Sequence, residues 1–467
     1  MSTPDAAPPD TVPPSESAPP AGQRAGVLGW ARHWFADNIF KRIIKNAALL
    51  LSGRATNGLL GLATLSLSAR GLGLEEFGIF VLLQTYVQVI AALATFQSWQ
   101  AVIRYGAICM ETKNVHSFQS LVKFTSMLDV AGCLLAAAIG VLAAPFVGPS
   151  VDWNPQVITY AQIFSLQILV AVLATPIGLL RLFDRFDLLA GQAVITPLLR
   201  LVGVGICVYV GAELWAYLVA WFIAGIVGSV ALMIIGWREA SKRGWLDGMT
   251  WSLAGITAPH GGIWKFSIFS NLHASLQLVT QQASTFLCGW LAGPAAAGLF
   301  KIGRDVATGI SKPAELLNQS IYPEFARLGS RGEWPKFKGL IFRGEAVAGS
   351  GALAMLALSI FGGPFFIDFF FGDAFVGAYV PLVLLVATAG LTLVAFPMEP
   401  ALYAMGRPSI PLRIETVVVL VIYLPVIFVL TKSMGPTGAA IASVAAAFAS
   451  FVALTAMTVK QLRRRLG

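Results

Sequence analysis

The stretch between Pro294 and Pro323 is apolar enough to cross a bilayer, yet it carries five charged side chains. These residues are Lys301, Arg304, Asp305, Lys312 and Glu315. At about 100° per residue in an α-helix, they share one polar stripe of roughly 100° of arc. A charge at mid-bilayer costs on the order of 2.5–3.5 kcal/mol against lipid, so the stripe must face protein or water.

The charge balance of this stripe indicates which ligand it could bind. It holds three cations and two carboxylates, and Arg54 in the first apolar segment adds a further cation. Guanidinium and ammonium groups are good donors to phosphate oxygens. We therefore expect an anionic ligand. A cavity for cationic drugs would be expected to carry surplus carboxylate.

Three further apolar segments carry polar residues at helical spacing. The residues on these faces are Arg54, Asn57, Gly61, Thr64 and Ser68 in the first, Gln84 and Gln88 in the second, and Gln277, Gln281 and Ser284 in the seventh. Amides and hydroxyls can bond sugar hydroxyl groups, so a sugar-containing ligand is one hypothesis. The alternative is that these groups form hydrogen bonds between helices.

The composition places these segments in a membrane protein. The chain has 467 residues, of which 57% are hydrophobic and 12% charged, whereas soluble domains average about 25% charged residues. Twelve mainly apolar segments are long enough to cross a bilayer. They cover residues 44–69, 77–98, 121–147, 158–182, 188–210, 214–237, 263–291, 295–321, 339–361, 376–403, 410–430 and 438–459. We predict an all-α membrane protein with twelve transmembrane helices.

Lys and Arg residues are distributed unevenly between the connections. They cluster in the N-terminal arm, in every second connection and at the C-terminal end, whereas the intervening connections hold only Arg70 and Lys432. The positive-inside rule therefore predicts that both termini are cytoplasmic. The net charge of +9 is then a topology signal and does not indicate nucleic-acid binding.

The two halves of the sequence repeat each other at an offset of 220 or 219 residues. The matched pairs are Gly73 and Gly293, Gly78 and Gly298, Phe80 and Phe300, Phe118 and Phe337, Leu121 and Leu340, Pro145 and Pro364, and Tyr160 and Tyr379. Since six spans is an even number, both halves enter the membrane in the same direction. We expect two six-helix bundles around a central cavity, related by an axis along the membrane normal.

This organisation predicts the following domain boundaries. Residues 1–25 form a disordered tail, 26–43 an interfacial amphipathic helix, 44–237 the N-terminal bundle, 238–262 a cytoplasmic linker, 263–460 the C-terminal bundle and 461–467 a basic tail. The tail is rich in Pro, Ala and Ser, and the second segment mixes aromatic and basic residues as interfacial helices do.

The repeated Gly-x-x-x-x-Gly-x-Phe motif carries a resemblance to a known family. It stands at the start of the second span in GLGLEEFGIF and of the eighth in GPAAAGLF. Residues 43–460 resemble the polysaccharide-transporter branch of the multidrug/oligosaccharidyl-lipid/polysaccharide (MOP) flippase superfamily. The resemblance implies a Wzx-type flippase in the bacterial inner membrane, which moves polyprenyl-pyrophosphate-linked oligosaccharides by alternating access during surface polysaccharide biosynthesis. It also implies that the first, second, seventh and eighth spans line the cavity.

The resemblance and the polar faces together predict the site residues and partners. The predicted substrate-binding residues are Arg54, Asn57, Gln84, Gln88, Gln277, Gln281, Lys301, Arg304 and Lys312. The expected partners are the lipid-linked oligosaccharide, membrane lipid and, as a hypothesis, a polysaccharide polymerase with other assembly proteins.

The intramembrane carboxylates raise a separate question of ion coupling. Asp305, Glu315 and Glu399 are candidates for H⁺ or Na⁺ coupling, and Glu399 lies between Pro397 and Pro400 on a predicted broken helix. For the two carboxylates of the eighth span, permanent structural pairing with the neighbouring cations is the alternative. Asp129 in the third span and Arg200 in the fifth are expected to form an ion pair.

Three other functions compete with this hypothesis. A multidrug antiporter of the same superfamily fits twelve spans but not a cationic lining, and a lipid-linked peptidoglycan precursor flippase usually has two additional spans. An enzyme is excluded because no DxD, GxxxxGK[ST] or nucleophile-elbow motif is present. No His or Cys spacing indicates a metal site, and no cofactor is predicted.

Overall fold

A computed structural model describes most of the chain from residue 38 onward. Its backbone covers residues 38–466 except 97, 251, 253–255, 319–324, 326, 330 and 408. The side chains of residues 38–55, 269–270, 272–281, 311–318 and 466 are also outside the description. The predicted disordered tail and most of the predicted interfacial helix lie outside these residues. The chain divides at Leu49, and the second unit, Leu50–Gly467, contains every helix after the start of the first.

All regular structure in the described residues is helical, as predicted. The first half contains α1 (Asn38–Ala94), α2 (Trp99–Glu111), α3 (Val115–Val147), α4 (Pro155–Ser165), α5 (Ala174–Leu182), α6 (Phe186–Val210) and α7 (Leu214–Lys242). The second half contains α8 (Ile263–Ala292), α9 (Pro294–Asn318), α10 (Trp334–Phe371), α11 (Tyr379–Ala395), α12 (Met398–Ala404), α13 (Ser409–Val417), α14 (Leu424–Met434) and α15 (Pro436–Leu466). Short 3₁₀ segments cover Gly148–Val151, Leu166–Val170 and Asp373–Ala378, and a π-helix covers Val418–Tyr423.

Within the described residues, nine helical stretches are long and apolar enough to cross a membrane. The first of them, Thr56–Ala94, runs through a sharp bend and so contains parts of two predicted spans. Neither α8 nor α9 is among the nine, although their 30 and 25 residues give sufficient length. The all-α membrane fold is confirmed, and the number of twelve spans stays a prediction.

Large apolar side chains on the outside of the helices show which surface faces lipid. Phe146 is 83% exposed and Phe361 is 85% exposed, and both lie on long apolar helices. Such exposure of large apolar groups would be unfavourable in water and suits contact with acyl chains. The described helices therefore present apolar surface in two directions, toward one another and toward lipid.

The internal repeat is visible in the backbone at two matched glycines. Gly73 interrupts α1 with φ 74° and ψ 175°, and Gly293 separates α8 from α9 with φ 87° and ψ 171°. This region of backbone space is essentially restricted to glycine. The same bend therefore joins the first span to the second and the seventh to the eighth.

Other matched residues occupy equivalent environments. Phe80 and Phe300 are each 1% exposed, and Phe118 and Phe337 are each fully buried. Pro145 lies inside α3 and Pro364 inside α10. These pairs come from two helices of each half, α1 and α3 in the first and α9 and α10 in the second, so the repeat is not confined to one motif.

The two halves meet along a seam between α1 and α9. The glycines of the repeat allow this approach, because a Cβ atom on Gly78 would lie 2.1 Å from the carbonyl oxygen of Pro294. A Cβ on Gly298 would lie 3.0 Å from the Phe77 ring. The Phe77 ring in turn packs edge-on against Phe375 with ring centroids 5.6 Å apart. We call the end of the seam near Gly73 and Gly293 the distal end.

At the opposite end of the first half, an ion cluster ties α7 to the start of α6. Arg185 bonds Asp187 at 2.9 Å and Glu239 at 2.9 Å, and Arg243 also bonds Glu239 at 2.9 Å. The carboxylates of Asp187 and Glu239 raise the pKa of Arg185 above its ordinary value. This cluster joins two helices within one half.

Candidate functional site

The polar face of α9 brings three of the predicted charged residues together. Lys301 forms an ion pair with Asp305 one helical turn later, and Arg304 Nε lies 4.0 Å from Asp305 Oδ1. The side chains of Lys301, Arg304 and Asp305 are 15%, 20% and 33% exposed. Burial of this extent weakens screening by water, so the charges act strongly on one another. The described part of the face carries two cations and one carboxylate.

The seventh span holds the guanidinium group of Arg304. Nη1 donates to Thr285 Oγ1 at 3.0 Å, and Nη2 donates to Gln282 Oε1 at 3.0 Å. Gln282 and Thr285 are three residues apart on α8 and so lie on the same face. Thr285 is fully buried. The two bonds orient the planar fork of Arg304.

Sequence analysis missed both of these partners. It selected the face of α8 with Gln277, Gln281 and Ser284, whereas Gln282 and Thr285 accept hydrogen bonds from Arg304. The sequence of α8 contains two adjacent polar pairs, Gln281–Gln282 and Ser284–Thr285. Helical spacing therefore allows either of two neighbouring faces to be the polar one. The side chains of Gln277 and Gln281 lie outside the described residues.

Ser284 instead contacts the eleventh span. Its hydroxyl accepts a hydrogen bond of 2.6 Å from Tyr423, which is the last residue of the π-helix Val418–Tyr423. A π-helix rotates the following side chains relative to an α-helix, and such segments are frequent at functional sites. The distal half of α8 is therefore bonded to both α9 and the eleventh span.

The first span gives a less polar surface than predicted. Thr64 and Ser68 are buried, and their hydroxyls donate to the carbonyl oxygens of Leu60 and Thr64 in the preceding turn, at 2.7 and 2.8 Å. Asn57 is exposed. Arg54 lies in α1, and its side chain is outside the described residues.

The second span places its two glutamines differently. Gln88 is exposed, whereas Gln84 is 7% exposed. Among the described residues, Gln84 Nε2 has no hydrogen-bond partner. Gln84 precedes Arg304 by the 220-residue offset of the repeat. The same position of the fold therefore carries an amide in one half and a guanidinium in the other.

The remaining predicted charges are separate from this cluster. Lys312 and Glu315 lie in α9, with side chains outside the described residues. Glu399 is partly buried at the start of α12, directly after the break that separates α12 from α11. The predicted break at Pro397 is thus present, and the structure does not place Glu399 in contact with the charged cluster of α9.

The predicted ion pair between Asp129 and Arg200 is wrong. Asp129 accepts hydrogen bonds from the Ser98 hydroxyl and from the Thr175 backbone N–H at 2.7 Å. Arg200 lies over the Trp221 ring, 4.5 Å from its centroid. Ser98 and Thr175 lie at helix N-termini, which attract a carboxylate, so Asp129 is stabilised without a cation.

In the part of the chain that the structure describes, no group of three or more His, Cys, Asp or Glu residues could hold a metal ion. The arrangement on α8 and α9 can offer fixed cationic donors and neutral hydrogen-bonding groups. Such groups bind an anion; no described group among them is arranged as a nucleophile with a base.

Comparisons with known proteins extend this result. The sequence profile of a family described as "Polysaccharide biosynthesis protein" matches residues 43–329. Inner membrane protein YghQ of Escherichia coli (strain K12) is 34% identical over 348 residues, covering 74% of this chain and 98% of that protein.

Solved structures share the fold at low sequence identity. An inward-facing multidrug resistance MATE family transporter of the MOP superfamily has a TM-score of 0.67 and 15% identity, over 87% of this chain and 96% of that chain. Lipid II flippase MurJ, in an inward closed conformation, has a TM-score of 0.60 and 13% identity over 89% of each chain.

These comparisons confirm the resemblance found in the sequence. The two solved structures are a transporter and a flippase, and at 15% and 13% identity they support the all-α multi-pass membrane fold of this chain. The profile covers more than half of the chain, and the similarity to YghQ covers nearly all of that relative. The chain therefore belongs to the family described as "Polysaccharide biosynthesis protein".

Proposed function

We propose that the protein moves polyprenyl-pyrophosphate-linked oligosaccharides from the cytoplasmic to the periplasmic leaflet of the bacterial inner membrane. The observation that carries this proposal is the position of Arg304, a partly buried guanidinium held by Gln282 and Thr285 on α8. Fixed guanidinium groups match phosphate oxygens in geometry and charge. The family description supports a substrate for polysaccharide synthesis.

The charge of the site favours this substrate over a cationic drug. Lys301 and Arg304 outnumber Asp305 in the described part of the α9 face. A cation brought beside them would meet net repulsion in a region of weak screening, whereas a pyrophosphate would be attracted. The name of the MATE relative includes multidrug resistance, but at 15% identity that similarity supports the fold alone.

A lipid-linked peptidoglycan precursor is the second candidate substrate. It also joins a sugar to a polyprenyl pyrophosphate, and MurJ, which shares the fold, is named a lipid II flippase. The family description favours the polysaccharide substrate. A polysaccharide polymerase and other assembly proteins are the partners that this function would require.

The ion pair of α9 suggests how substrate loading could be coupled to an ion. We propose that phosphate displaces Asp305 from Lys301, after which the released, partly buried carboxylate takes up a proton. Glu315 and Glu399 are further candidates for this role. A permanent structural pair is the alternative, and it predicts transport that is independent of ion gradients.

The test of the substrate uses cells that lack the protein and carry a plasmid-borne variant. We expect Arg304→Lys to reduce polysaccharide export by at least about tenfold and Arg304→Ala to abolish it, because lysine cannot reproduce two forked bonds. Lipid-linked oligosaccharide should accumulate in the cytoplasmic leaflet. Peptidoglycan precursor flipping and drug susceptibility are measured in the same cells.

Arg200→Ala is the matched control, because Arg200 is also an intramembrane arginine but contacts Trp221 outside the site. Each variant is quantified by immunoblot. Normal export by an Arg304→Ala protein at normal abundance would contradict the proposal. A defect confined to peptidoglycan precursor flipping or to drug resistance would select one of the competing substrates.

A further inference from the structure

Arg70 lies near the distal end of the first span, and its side chain reaches the other half of the molecule. Its Nε donates to the carbonyl oxygen of Phe370 at 2.9 Å, and its Nη2 donates to those of Asp368 at 3.2 Å and Phe369. Ser66, one turn earlier, donates its hydroxyl to the Phe370 carbonyl. Two side chains of the first half therefore bond three successive carbonyl groups of the second half.

These carbonyl groups are at the C-terminus of α10, where a helix leaves its last carbonyls without N–H partners of its own. The helix ends at Phe371, and the N–H of Gly372 returns to the carbonyls of Asp368 and Ile367 at 2.9 and 3.2 Å. The carbonyl oxygens of Phe369 and Phe370 accept from Arg70 and Ser66 instead. The negative end of the helix dipole also favours a guanidinium at this place.

The contact lies on the seam between the two halves. Phe77 packs against Phe375, and Gly78 touches the Pro294 backbone, a short distance along α1 from Arg70. Separation of the halves at this end would expose the carbonyls of α10 and remove the partners of Arg70. Hydrogen bonds that exist in one conformation only bias the equilibrium toward that conformation.

The repeat does not reproduce this contact on the other side of the seam. The position 220 residues after Arg70 is Trp290, whose ring packs against Phe428 in its own half, 5.7 Å between centroids. The position 220 residues after Ser66 is Phe286, which has no hydroxyl. The residues that bond α10 are therefore not conserved between the two halves at the matched positions, and the contact is specific to the first half.

We propose that Ser66 and Arg70 are gating residues that hold the distal end of the seam closed. Their bonds to α10 must break before the two halves can separate at that end. The proposal rests on transport by movement of the two halves and on no particular substrate. It assigns to Arg70 a role in setting the balance of conformations, separate from substrate binding at Arg304.

The test measures the opening of the seam directly. Spin labels are attached at Asp152→Cys and Ala374→Cys, two exposed positions in distal loops of opposite halves, and the distance distribution is measured by double electron–electron resonance in nanodiscs. The four native cysteines are buried, which limits their labelling. We expect Arg70→Ala to increase the ratio of the long-distance to the short-distance population by about tenfold, and Ser66→Ala by less.

Lys432→Ala is the matched control, since Lys432 is a distal cation that lies over Phe428 in its own half. It should leave the distribution unchanged. Unchanged distances in a folded Ser66→Ala/Arg70→Ala protein would overturn the proposal. If that protein does not accumulate, the test uses Arg70→Lys. Lysine keeps the charge but cannot span three carbonyls, so we expect an intermediate shift of the distance distribution. No substrate is needed, so failure of the proposed substrate would leave this result intact.

Discussion

Two neighbouring cations of α9 are held in different ways. Lys301 is paired with Asp305 in the same helix, at a spacing of four residues. Arg304 depends on Gln282 and Thr285 from α8. A change of the angle between α8 and α9 would therefore move Arg304 relative to its partners while leaving the Lys301 pair intact. Under the proposed function, helix movement would alter the affinity for the anion through Arg304.

The contacts of Arg304 lead to a prediction for its partners. We expect Gln282→Leu and Thr285→Val each to lower polysaccharide export by about tenfold, because a hydrogen bond to a charged group contributes about 1.5–3 kcal/mol and each 1.4 kcal/mol is about tenfold. Export is measured in complemented cells and divided by protein abundance. Ser284→Ala is the control on the same helix, since Ser284 bonds Tyr423 instead. Normal export by the Gln282→Leu/Thr285→Val protein would show that these bonds are not needed.

At the scale of helices, glycine determines how closely the two halves can approach. Gly73 and Gly293 provide backbone bends that other residues avoid, and Gly78 and Gly298 remove the side chains that would hold α1 and α9 apart. The bend and the close approach are separated by only five residues in each half. The repeated motif therefore specifies the same local structure in each half, a backbone bend followed by a close helix crossing.

Substitution of one seam glycine tests this role. In Gly78→Ala the new Cβ would lie 2.1 Å from the Pro294 carbonyl oxygen, so the helices must move apart. We expect the free energy of unfolding to fall by about 1–3 kcal/mol, the usual effect of overpacking. Thermal unfolding of the purified protein in detergent measures this change.

Gly61→Ala is the matched control, because Gly61 lies in the same helix and a Cβ there would meet no atom within 4 Å. Alanine at this position should leave stability unchanged or raise it by about 1 kcal/mol through helix propensity. Equal stability of Gly78→Ala and Gly61→Ala would contradict the assignment of Gly78 to a close crossing.

At the scale of the whole molecule, the halves share a backbone but differ in chemistry. Where the second half has Arg304, the first has Gln84, and the residues matched to Gln282 and Thr285 are Leu62 and Leu65. In the described structure, Gln84 Nε2 has no hydrogen-bond partner, whereas the guanidinium at the matched position of the second half is bonded. This asymmetry agrees with the proposed ligand, which carries its charge at one end.

The uneven distribution of Lys and Arg predicts the orientation of the molecule. Single cysteines introduced at Ser2, Ser330 and Gly467 should react only from the cytoplasm, and those at Asp152 and Asp373 only from the periplasm. A membrane-impermeant thiol reagent applied to intact and then to permeabilised cells separates the two groups. Periplasmic reaction at position 467 would require an odd number of spans.

Ion coupling is tested by transport into vesicles. A pH difference of about one unit supplies about 1.4 kcal/mol per proton, so we expect an imposed proton gradient to speed the flipping of a fluorescent polyprenyl-pyrophosphate oligosaccharide. In Asp305→Asn this acceleration should disappear. Rates are compared under a proton gradient, a sodium gradient and neither. Equal rates under all three would show a facilitated flippase without coupling.

The sequence by itself determined those features that arise within one helix or recur along the chain. Composition predicted a helical membrane protein, Pro397 predicted the break before Glu399, and the four-residue spacing predicted the neighbourhood of Lys301 and Asp305. The 220-residue offset predicted the repeat, and the structure places its matched glycines, Gly73 and Gly293, at equivalent bends. All of these depend on local backbone preferences or on periodicity, which the order of residues contains directly.

Only the tertiary structure decided which side chains meet across helices. It assigned Gln282 and Thr285 to Arg304, and the C-terminus of α10 to Arg70. It also assigned Ser98 and Thr175 to Asp129 in place of Arg200. Successive residues of a helix point about 100° apart, so a small rotation of one helix exchanges one partner for the next. That rotation is set by the packing of all the surrounding helices, which no single segment of sequence specifies.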